Sequence, residues 1–256
     1  MPESASAVHL QIGDGIAKIT LDQPPLNVLD TDSLHLLNQA LATCASSSVR
    51  VVLLRSVVTR AFSAGVEIRD HGPDRLDAML REVQEQARQM LTLEAVTIAA
   101  INGSTLGGGA ELALLCDIVI AADDARLGLP EIGLAAFPPI ATAILPERWA
   151  WPVAMRLLLG ETIDASTARE LGLLADVVPV SALHPAAEAR AKQLAGYSGV
   201  AIRGLTLATR RARATGILRR VDEAIEIYKA VVGPSRDAQE GVDAFLEKRT
   251  PAWSHR

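Results

Sequence analysis

The chain has 256 residues, of which 49% are hydrophobic and 21% are charged, a balance typical of a globular protein that can bury a large core. Its formal net charge of −5 argues against a general nucleic-acid binder, because such proteins need a basic face that neutralises phosphates. The start of the chain shows no secretory signal, and no apolar run approaches the roughly 18 to 20 residues that span a bilayer. The sequence therefore predicts a cytoplasmic protein with neither a membrane nor a nucleic acid as partner.

The first half of the chain alternates predicted strands with predicted helices. Two short alternating runs, 8–12 and 16–21, flank Gly13-Asp14-Gly15 and predict an opening hairpin. Helices are predicted over about 31–46, 73–94 and 109–116, and buried strands over 49–56, 96–101 and 118–122. This alternation predicts an α/β fold with a largely parallel sheet and crossover helices.

After residue 135 the predicted elements are mostly helices. They cover about 140–149, 151–159, 165–171, 182–197, 200–213, 217–232 and 235–248, and only 175–180 is predicted to be extended. We therefore expect an α/β core over residues 1–195 and a helical C-terminal region over residues 196–256.

Two groups of reactive or charged residues have ordinary structural interpretations. Cys44 and Cys116 are too few for a disulfide framework and lie in apolar patterns, so we expect both to be buried. Six arginines in the late helices predict either a solvated face, which we favour, or a site for an anionic ligand. They are Arg203, Arg210, Arg211, Arg213, Arg219 and Arg220.

A glycine turn, Gly107-Gly108-Gly109, lies between a buried strand and a short helix that carries Glu111. Glycines let a ligand approach the backbone closely, and the first amides of a helix are unpaired at the positive end of its dipole. Neither nucleotide-binding fingerprint fits these residues. We interpret the turn as a site that stabilises a substrate oxygen as it becomes an anion. The alternative is that the glycines serve only tight packing of helix on sheet.

A second carboxylate, Glu131, lies in another apolar segment punctuated by glycines, and its simpler interpretation is an exposed loop acid. If Glu111 and Glu131 share a site poor in water, their pKa values rise and separate, as a general acid and base near neutral pH require. A third segment, 61–68, follows a buried strand and can direct a backbone amide into the same crevice. Two amides from two loops make an oxyanion hole.

Together these segments resemble the crotonase superfamily, the enoyl-coenzyme A (CoA) hydratases and isomerases. The resemblance rests on 61–68, on 102–117 and on Pro130-Glu131 with Gly133, and it extends to Pro24 with Asn27 and to 245–249. It implies a crotonase-like spiral of ββα units with a helical C-terminal trimerisation region. It also implies a homo-oligomer, either a trimer or a hexamer.

The resemblance assigns roles to four residues. The backbone amides of Val66 and Gly108 would polarise the thioester carbonyl, Glu111 would deprotonate a water that attacks the β-carbon, and Glu131 would deliver a proton to the α-carbon. Because both acids are present, we predict an enoyl-CoA hydratase, which is a lyase, rather than an isomerase. An isomerase, hydrolase or decarboxylase with the same carbonyl clamp remains open, as does a catalytically idle scaffold.

Coenzyme A itself is predicted to be part of the substrate, with no separate cofactor and no metal. The resemblance implies contacts from Leu26 in the early loop, from the backbone around Ala64 and Ile68, and from Phe245 and Lys248 in a C-terminal helix of a neighbouring subunit. The early loop lacks the basic residue often found there in the family, which weakens the expected phosphate contacts at that end.

The chain departs from the family pattern at two places. Glu67 stands where aspartate is usual, and Phe137, Pro138 and Pro139 stand where typical hydratases have a proline and several glycines over the acyl pocket. These residues should stiffen and reshape the pocket. Together with 145–148 they resemble the hydratases of cyclic dienoyl thioesters, so a cyclic acyl group is the alternative to a linear one.

Overall fold

The computed structural model describes residues 6–256, and the first five residues of the segment inspected for a secretory signal lie outside them. The strands are β1 Val8–Gly13, β2 Ile16–Leu21, β3 Val28–Leu29, β4 Val51–Ser56, β5 Ala61–Ser63, β6 Gly65–Val66, β7 Val96–Ile101, β8 Ser104–Leu106, β9 Ile118–Ala122, β10 Arg126–Gly128, β11 Thr162–Asp164 and β12 Asp176–Val178. The helices are α1 Thr31–Ala45, α2 Leu76–Thr92, α3 Gly108–Leu115, α4 Pro139–Arg148, α5 Trp151–Leu158, α6 Ala165–Glu170, α7 Leu183–Ala195, α8 Gly199–Ile227 and α9 Arg236–Glu247.

The main sheet has six strands in the order β1-β2-β4-β7-β9-β12. Strands β1 and β2 form the predicted antiparallel hairpin, and the remaining neighbours are parallel. On β4, Val51 and Leu53 pack beneath α7, while Val52 and Leu54 belong to the core shared with α1, α2 and α3. A strand segment buried on both faces favours apolar residues at successive positions, which explains the apolar run over 51–54. The predicted parallel sheet is confirmed.

The structure contains two further sheets that were not predicted from the sequence. One has four short strands in the order β11-β10-β8-β5, and the other pairs β3 with β6. The prediction that 175–180 is the only extended segment after residue 135 is wrong, because Thr162–Asp164 pairs antiparallel with Arg126–Gly128. Strands of two or three residues are too short to show a hydrophobic period. These strands carry the loops that surround the amino end of α3.

The C-terminal region is helical, as predicted, but its longest helix differs from the prediction. The two helices expected over 200–213 and 217–232 are one helix, α8, which continues into a π-helical turn over Tyr228–Val232. The helix runs through Gly216, which is tolerated inside a helix at a modest energetic cost. Helix α8 packs against α2 and α4 of the core. The division of the chain at residue 195 stays a prediction.

Most of the predicted arginines of α8 form ion pairs with acids of this chain, which a purely solvated face would not require. Four of them pair with acids of this chain: Arg203 with Glu94, Arg210 with Asp117, Arg219 with Glu223 and Arg220 with Glu147. Three of these pairs join α8 to other parts of the chain. Both cysteines are free and buried, as predicted. Among residues 6–256, no helix combines the length and the apolarity that crossing a membrane requires.

Two glycines should respond oppositely to substitution by alanine. A Cβ on Gly204, in α8, meets nothing within 4 Å, so Gly204→Ala should raise the free energy of unfolding by about 0.5–1 kcal/mol. Gly103 has φ +52°, and a Cβ there lies 2.1 Å from the Arg60 carbonyl oxygen. Gly103→Ala should therefore lower the free energy of unfolding by about 1–3 kcal/mol. Denaturant titration measures both changes, and equal effects of the two substitutions would contradict the structure.

Candidate active site

A cavity of about 80 Å³ lies beside the amino end of α3, between the 3₁₀ turns Ile68–His71 and Pro130–Leu134. Eight predicted site residues line it: Ala64, Val66, Ile68, Gly108, Glu111, Glu131, Phe137 and Pro138. Larger cavities of about 410 and 500 Å³ lie elsewhere, but neither contains this combination of carboxyls and glycine amides. The structure thus brings both glutamates and both predicted oxyanion residues to one cavity.

The glycine turn has both a structural and a functional reason. Gly107 has φ 53° and ψ −131°, a backbone conformation that residues with a Cβ strongly disfavour. A Cβ on Gly107 would lie 3.0 Å from Glu131 Oε1, so the glycine leaves room for that carboxyl. A Cβ on Gly109 would lie 2.6 Å from the Ser63 carbonyl oxygen, so this glycine serves close packing of α3 on β5.

The two predicted oxyanion residues come from separate backbone segments that meet at the cavity. Gly108 is the first residue of α3, where amides have no acceptor within the helix. Val66 ends β6, which pairs with β3. A Cβ built on Gly108 lies 2.8 Å from Val66 Cγ2 and 3.7 Å from the Val66 nitrogen. This contact between two loops is the arrangement that an oxyanion hole needs.

Glu111 projects from the first turn of α3 and is 3% exposed. Its Oε1 accepts a hydrogen bond of 2.8 Å from the Ala141 amide, at the amino end of α4. Burial raises the pKa of Glu111 to about 7, although hydrogen bonds from the Ala141 and Ile140 amides act in the opposite direction. A carboxyl with this pKa changes its charge near neutral pH, as a general base must.

Glu131 lies in the turn Pro130–Leu134, and its carboxyl faces the protein, contrary to the simpler interpretation of an exposed loop acid. Its Oε2 is buried and has no hydrogen-bond partner within residues 6–256. Burial and then the charge of Glu111 raise the pKa of Glu131 to about 8. Both carboxyls therefore have pKa values raised toward neutral pH, as an acid and base pair requires.

Three predicted substrate contacts do not line this cavity. The Leu26 carbonyl accepts a hydrogen bond of 2.9 Å from the amide of Ala64, which does line the cavity, and contact of Leu26 with substrate stays a prediction. Phe245 is 57% exposed on α9, and Lys248 ends that helix with φ 56°. Contact of Phe245 and Lys248 with substrate in a neighbouring subunit stays a prediction.

Two titratable residues that the sequence analysis missed, His71 and Tyr228, also line the cavity. Tyr228 is 3% exposed, and its ring centroid lies 5.1 Å from that of Phe137 at an interplanar angle of 52°. Its only signal in the sequence is an aromatic residue with a polar end within an apolar helical stripe. Glu67, whose role was unexplained, accepts a hydrogen bond of 3.2 Å from the Arg69 amide and so caps the turn that carries His71.

Comparison with known proteins decides the family. A family model described as enoyl-CoA hydratase/isomerase matches residues 11–256. The chain belongs to the enoyl-CoA hydratase/isomerase family. The predicted resemblance is thereby confirmed over nearly the whole chain.

Individual relatives of this family member support the same assignment. It is 32% identical over 260 residues to cyclohexa-1,5-dienecarbonyl-CoA hydratase of Thauera aromatica, with full coverage of both chains. It is also 32% identical to 2,3-dehydroadipyl-CoA hydratase of Escherichia coli K12, covering 93% of this chain and 94% of the relative. A solved enoyl-CoA hydratase from Mycobacterium avium subsp. paratuberculosis K-10 superposes with a TM-score of 0.88 at 25% identity, covering 98% of this chain and all of that one. The predicted crotonase-like fold is confirmed.

Proposed function

We propose that this protein is an enoyl-CoA hydratase, which adds water reversibly to the double bond of a 2-enoyl-CoA thioester. One observation carries the proposal: Glu111 and Glu131, both with raised pKa values, face one cavity beside the amides of Val66 and Gly108. Migration of a double bond needs fewer acids, so the retention of two favours hydration over isomerisation.

The reaction assigns one task to each group. The Val66 and Gly108 amides donate hydrogen bonds to the thioester oxygen as the enolate forms. Glu111, as the carboxylate, takes a proton from water while the water oxygen bonds to the β-carbon. Glu131, in its protonated form, gives a proton to the α-carbon. Water thus becomes a hydroxyl and a new C–H bond, and return of one proton from Glu111 to Glu131 restores both carboxyls. No step requires a separate cofactor or metal.

A cyclic dienoyl-CoA is the second candidate substrate. The observation that favours it is the cavity wall, where the rings of Phe137 and Tyr228 pack together and Pro138 and Pro139 restrict the adjoining backbone. Flat aromatic surfaces suit a planar unsaturated ring. The full-length similarity to a cyclohexa-1,5-dienecarbonyl-CoA hydratase points the same way.

A substrate panel tests both candidates. The purified protein is incubated with crotonyl-CoA, a longer linear enoyl-CoA and cyclohexa-1,5-dienecarbonyl-CoA, and loss of the conjugated thioester absorbance is followed. Mass spectrometry then identifies the product, since hydration adds one water and isomerisation adds nothing. Turnover of none of these thioesters would refute the hydratase proposal.

We also propose that the protein is a homo-oligomer, a trimer or a hexamer, in the cytoplasm. Buried free thiols suit a reducing compartment. Large apolar side chains are exposed along the C-terminal region of the single chain: Val200, Leu205, Leu207, Ile227, Val231, Phe245 and Leu246. A subunit interface that covers them would place Phe245 and Lys248 at a neighbour's site.

Assembly and the role of Lys248 have a joint test. We expect light scattering to show a trimer or hexamer, and we expect Lys248→Ala to raise KM about tenfold with little change in kcat, because a phosphate contact stabilises the ground state and the transition state equally. Lys192→Ala, on the core helix α7, is the control. A monomeric active enzyme, or an unchanged KM, would contradict this arrangement.

A further inference from the structure

Tyr228 brings a phenol from the C-terminal region into the cavity that holds the two glutamates. It stands where α8 gives way to the π-helical turn Tyr228–Val232. Such turns are rare and frequently occur at functional sites, because the inserted residue redirects a side chain. The ring rests against Phe137, and only 3% of the residue is exposed. The side chain is therefore held in place by packing.

One carboxyl oxygen of Glu131 lacks a hydrogen-bond partner in the cavity that Tyr228 also lines. Glu131 Oε2 is buried without a hydrogen bond within residues 6–256, whereas Glu111 receives one from the Ala141 amide. Tyr228 lines the same cavity, and burial and the charge of Glu131 raise the pKa of its phenol. The phenol accordingly stays protonated and remains a hydrogen-bond donor. Its cavity holds a carboxylate oxygen that needs such a donor.

We propose that Tyr228 is a positioning residue for Glu131, and that its hydroxyl donates a hydrogen bond through one water to Oε2 of that carboxyl. The inference rests on the proposed function, in which Glu131 gives its proton to the α-carbon. A donor aimed at the carboxyl stabilises the negative charge that develops as this proton leaves. It also limits the orientations of the carboxyl.

The titratable groups near Tyr228 determine which changes of charge its hydroxyl meets as the pH rises. The titratable residues that line the cavity are His71, Glu111, Glu131 and Tyr228. Burial lowers the pKa of His71, so it is neutral where the glutamates titrate. Lys229, the next residue of the π-helical turn, pairs with Asp77 at 3.2 Å. The charge changes that Tyr228 meets near pH 7 to 8 are therefore those of the two glutamates.

The kinetic test is Tyr228→Phe, which removes the hydroxyl and keeps the ring on Phe137. We expect kcat to fall about tenfold, KM to stay within about twofold, and the alkaline limb of the kcat/KM profile to move up by about one pH unit, because Glu131 loses a donor to its charged form. Tyr197→Phe is the matched control, since Tyr197 is the other tyrosine and is 57% exposed. An unchanged kcat and pH profile, or a raised KM with unchanged kcat, would overturn the proposal.

A second measurement needs no turnover. In the NMR spectrum of protein with ring-labelled tyrosine, the Tyr228 signal should shift as Glu131 ionises, near its pKa of about 8. That step should vanish in Glu131→Gln and persist, at lower pH, in Glu111→Gln, because the charge of Glu111 no longer raises the pKa of Glu131. If the wild type hydrates no enoyl-CoA but shows the step, the proposed function fails and the link between Tyr228 and Glu131 stands. Absence of the step in a folded wild-type protein overturns the link.

Discussion

Replacing Glu131 by glutamine should lower the hydratase kcat by about 10²–10⁴-fold and leave the fold intact. Glutamine has the shape of glutamate, but its amide cannot give a proton to the α-carbon. Rates with the best substrate of the thioester panel measure the effect. Glu170→Gln at the exposed end of α6 is the matched control, because it makes the same chemical change at a residue that does not line the cavity. Substantial activity in Glu131→Gln would exclude Glu131 as the acid.

The same substitution should alter how stability depends on pH. The pKa of Glu131 is raised from 4.5 to about 8, so between these values the folded protein keeps a proton that the unfolded chain has lost. The free energy of unfolding therefore falls as pH rises through this window. Glutamine removes this loss, so the variant should melt at a higher temperature than the wild type at about pH 9, with a smaller difference at about pH 5. Equal melting temperatures at both pH values would argue against a buried Glu131 carboxylate.

The two carboxyls also determine the expected pH–rate profile. Hydration needs Glu111 deprotonated and Glu131 protonated. With pKa values of about 7 and about 8, kcat/KM should rise through the first value and fall through the second. Because the carboxyls interact, both apparent values belong to the pair rather than to either residue. In Glu131→Gln, any residual activity should lose the alkaline limb.

Residues that act through local chemistry were accessible from the sequence. Glu111 and Gly107 lie together at a strand-to-helix turn. The unpaired amides that can bind an anion and the adjacent carboxyl could therefore be predicted from one segment. The long buried strands β4, β7 and β9 could also be predicted from the sequence, because a run of four or five consecutive apolar residues is typical of a strand covered on both faces.

Residues that meet only in the folded chain could not be predicted in the same way. The family resemblance predicted that Glu131 lies near Glu111. The distance of 3.0 Å between a Cβ built on Gly107 and Glu131 Oε1 depends on tertiary structure, so the sequence alone could not supply it. Tyr228 reaches the cavity because α8 packs along α2 and α4 and ends in a π-helical turn, and no local motif reports such packing. The predicted contacts of Phe245 and Lys248 with substrate depend on quaternary structure, because they require a neighbouring subunit.

The oxyanion hole offers a test in which one hydrogen-bond donor is removed from the backbone. Gly108 is the first residue of α3, the helical position at which proline is best tolerated, because the amide there has no partner within the helix. Gly108→Pro therefore deletes the predicted donor at a place where the helix does not need it. Gly108→Ala is the matched control, since its Cβ makes the same close approach to Val66 Cγ2 and its amide hydrogen remains.

We expect kcat/KM of Gly108→Pro to lie about 10²–10³-fold below that of Gly108→Ala, the usual cost of losing one oxyanion donor. The approach of the Cβ to Val66 is common to both variants, so the ratio reports the replacement of the amide hydrogen by the proline Cδ. If crowding unfolds either variant, Val66→Ala in both backgrounds shortens the opposing side chain and keeps its amide. Equal activity of the folded pair would show that the Gly108 amide does not hold the thioester oxygen. The carbonyl would then have to be polarised by another group in the cavity, and the roles proposed for Glu111 and Glu131 would need a different substrate pose.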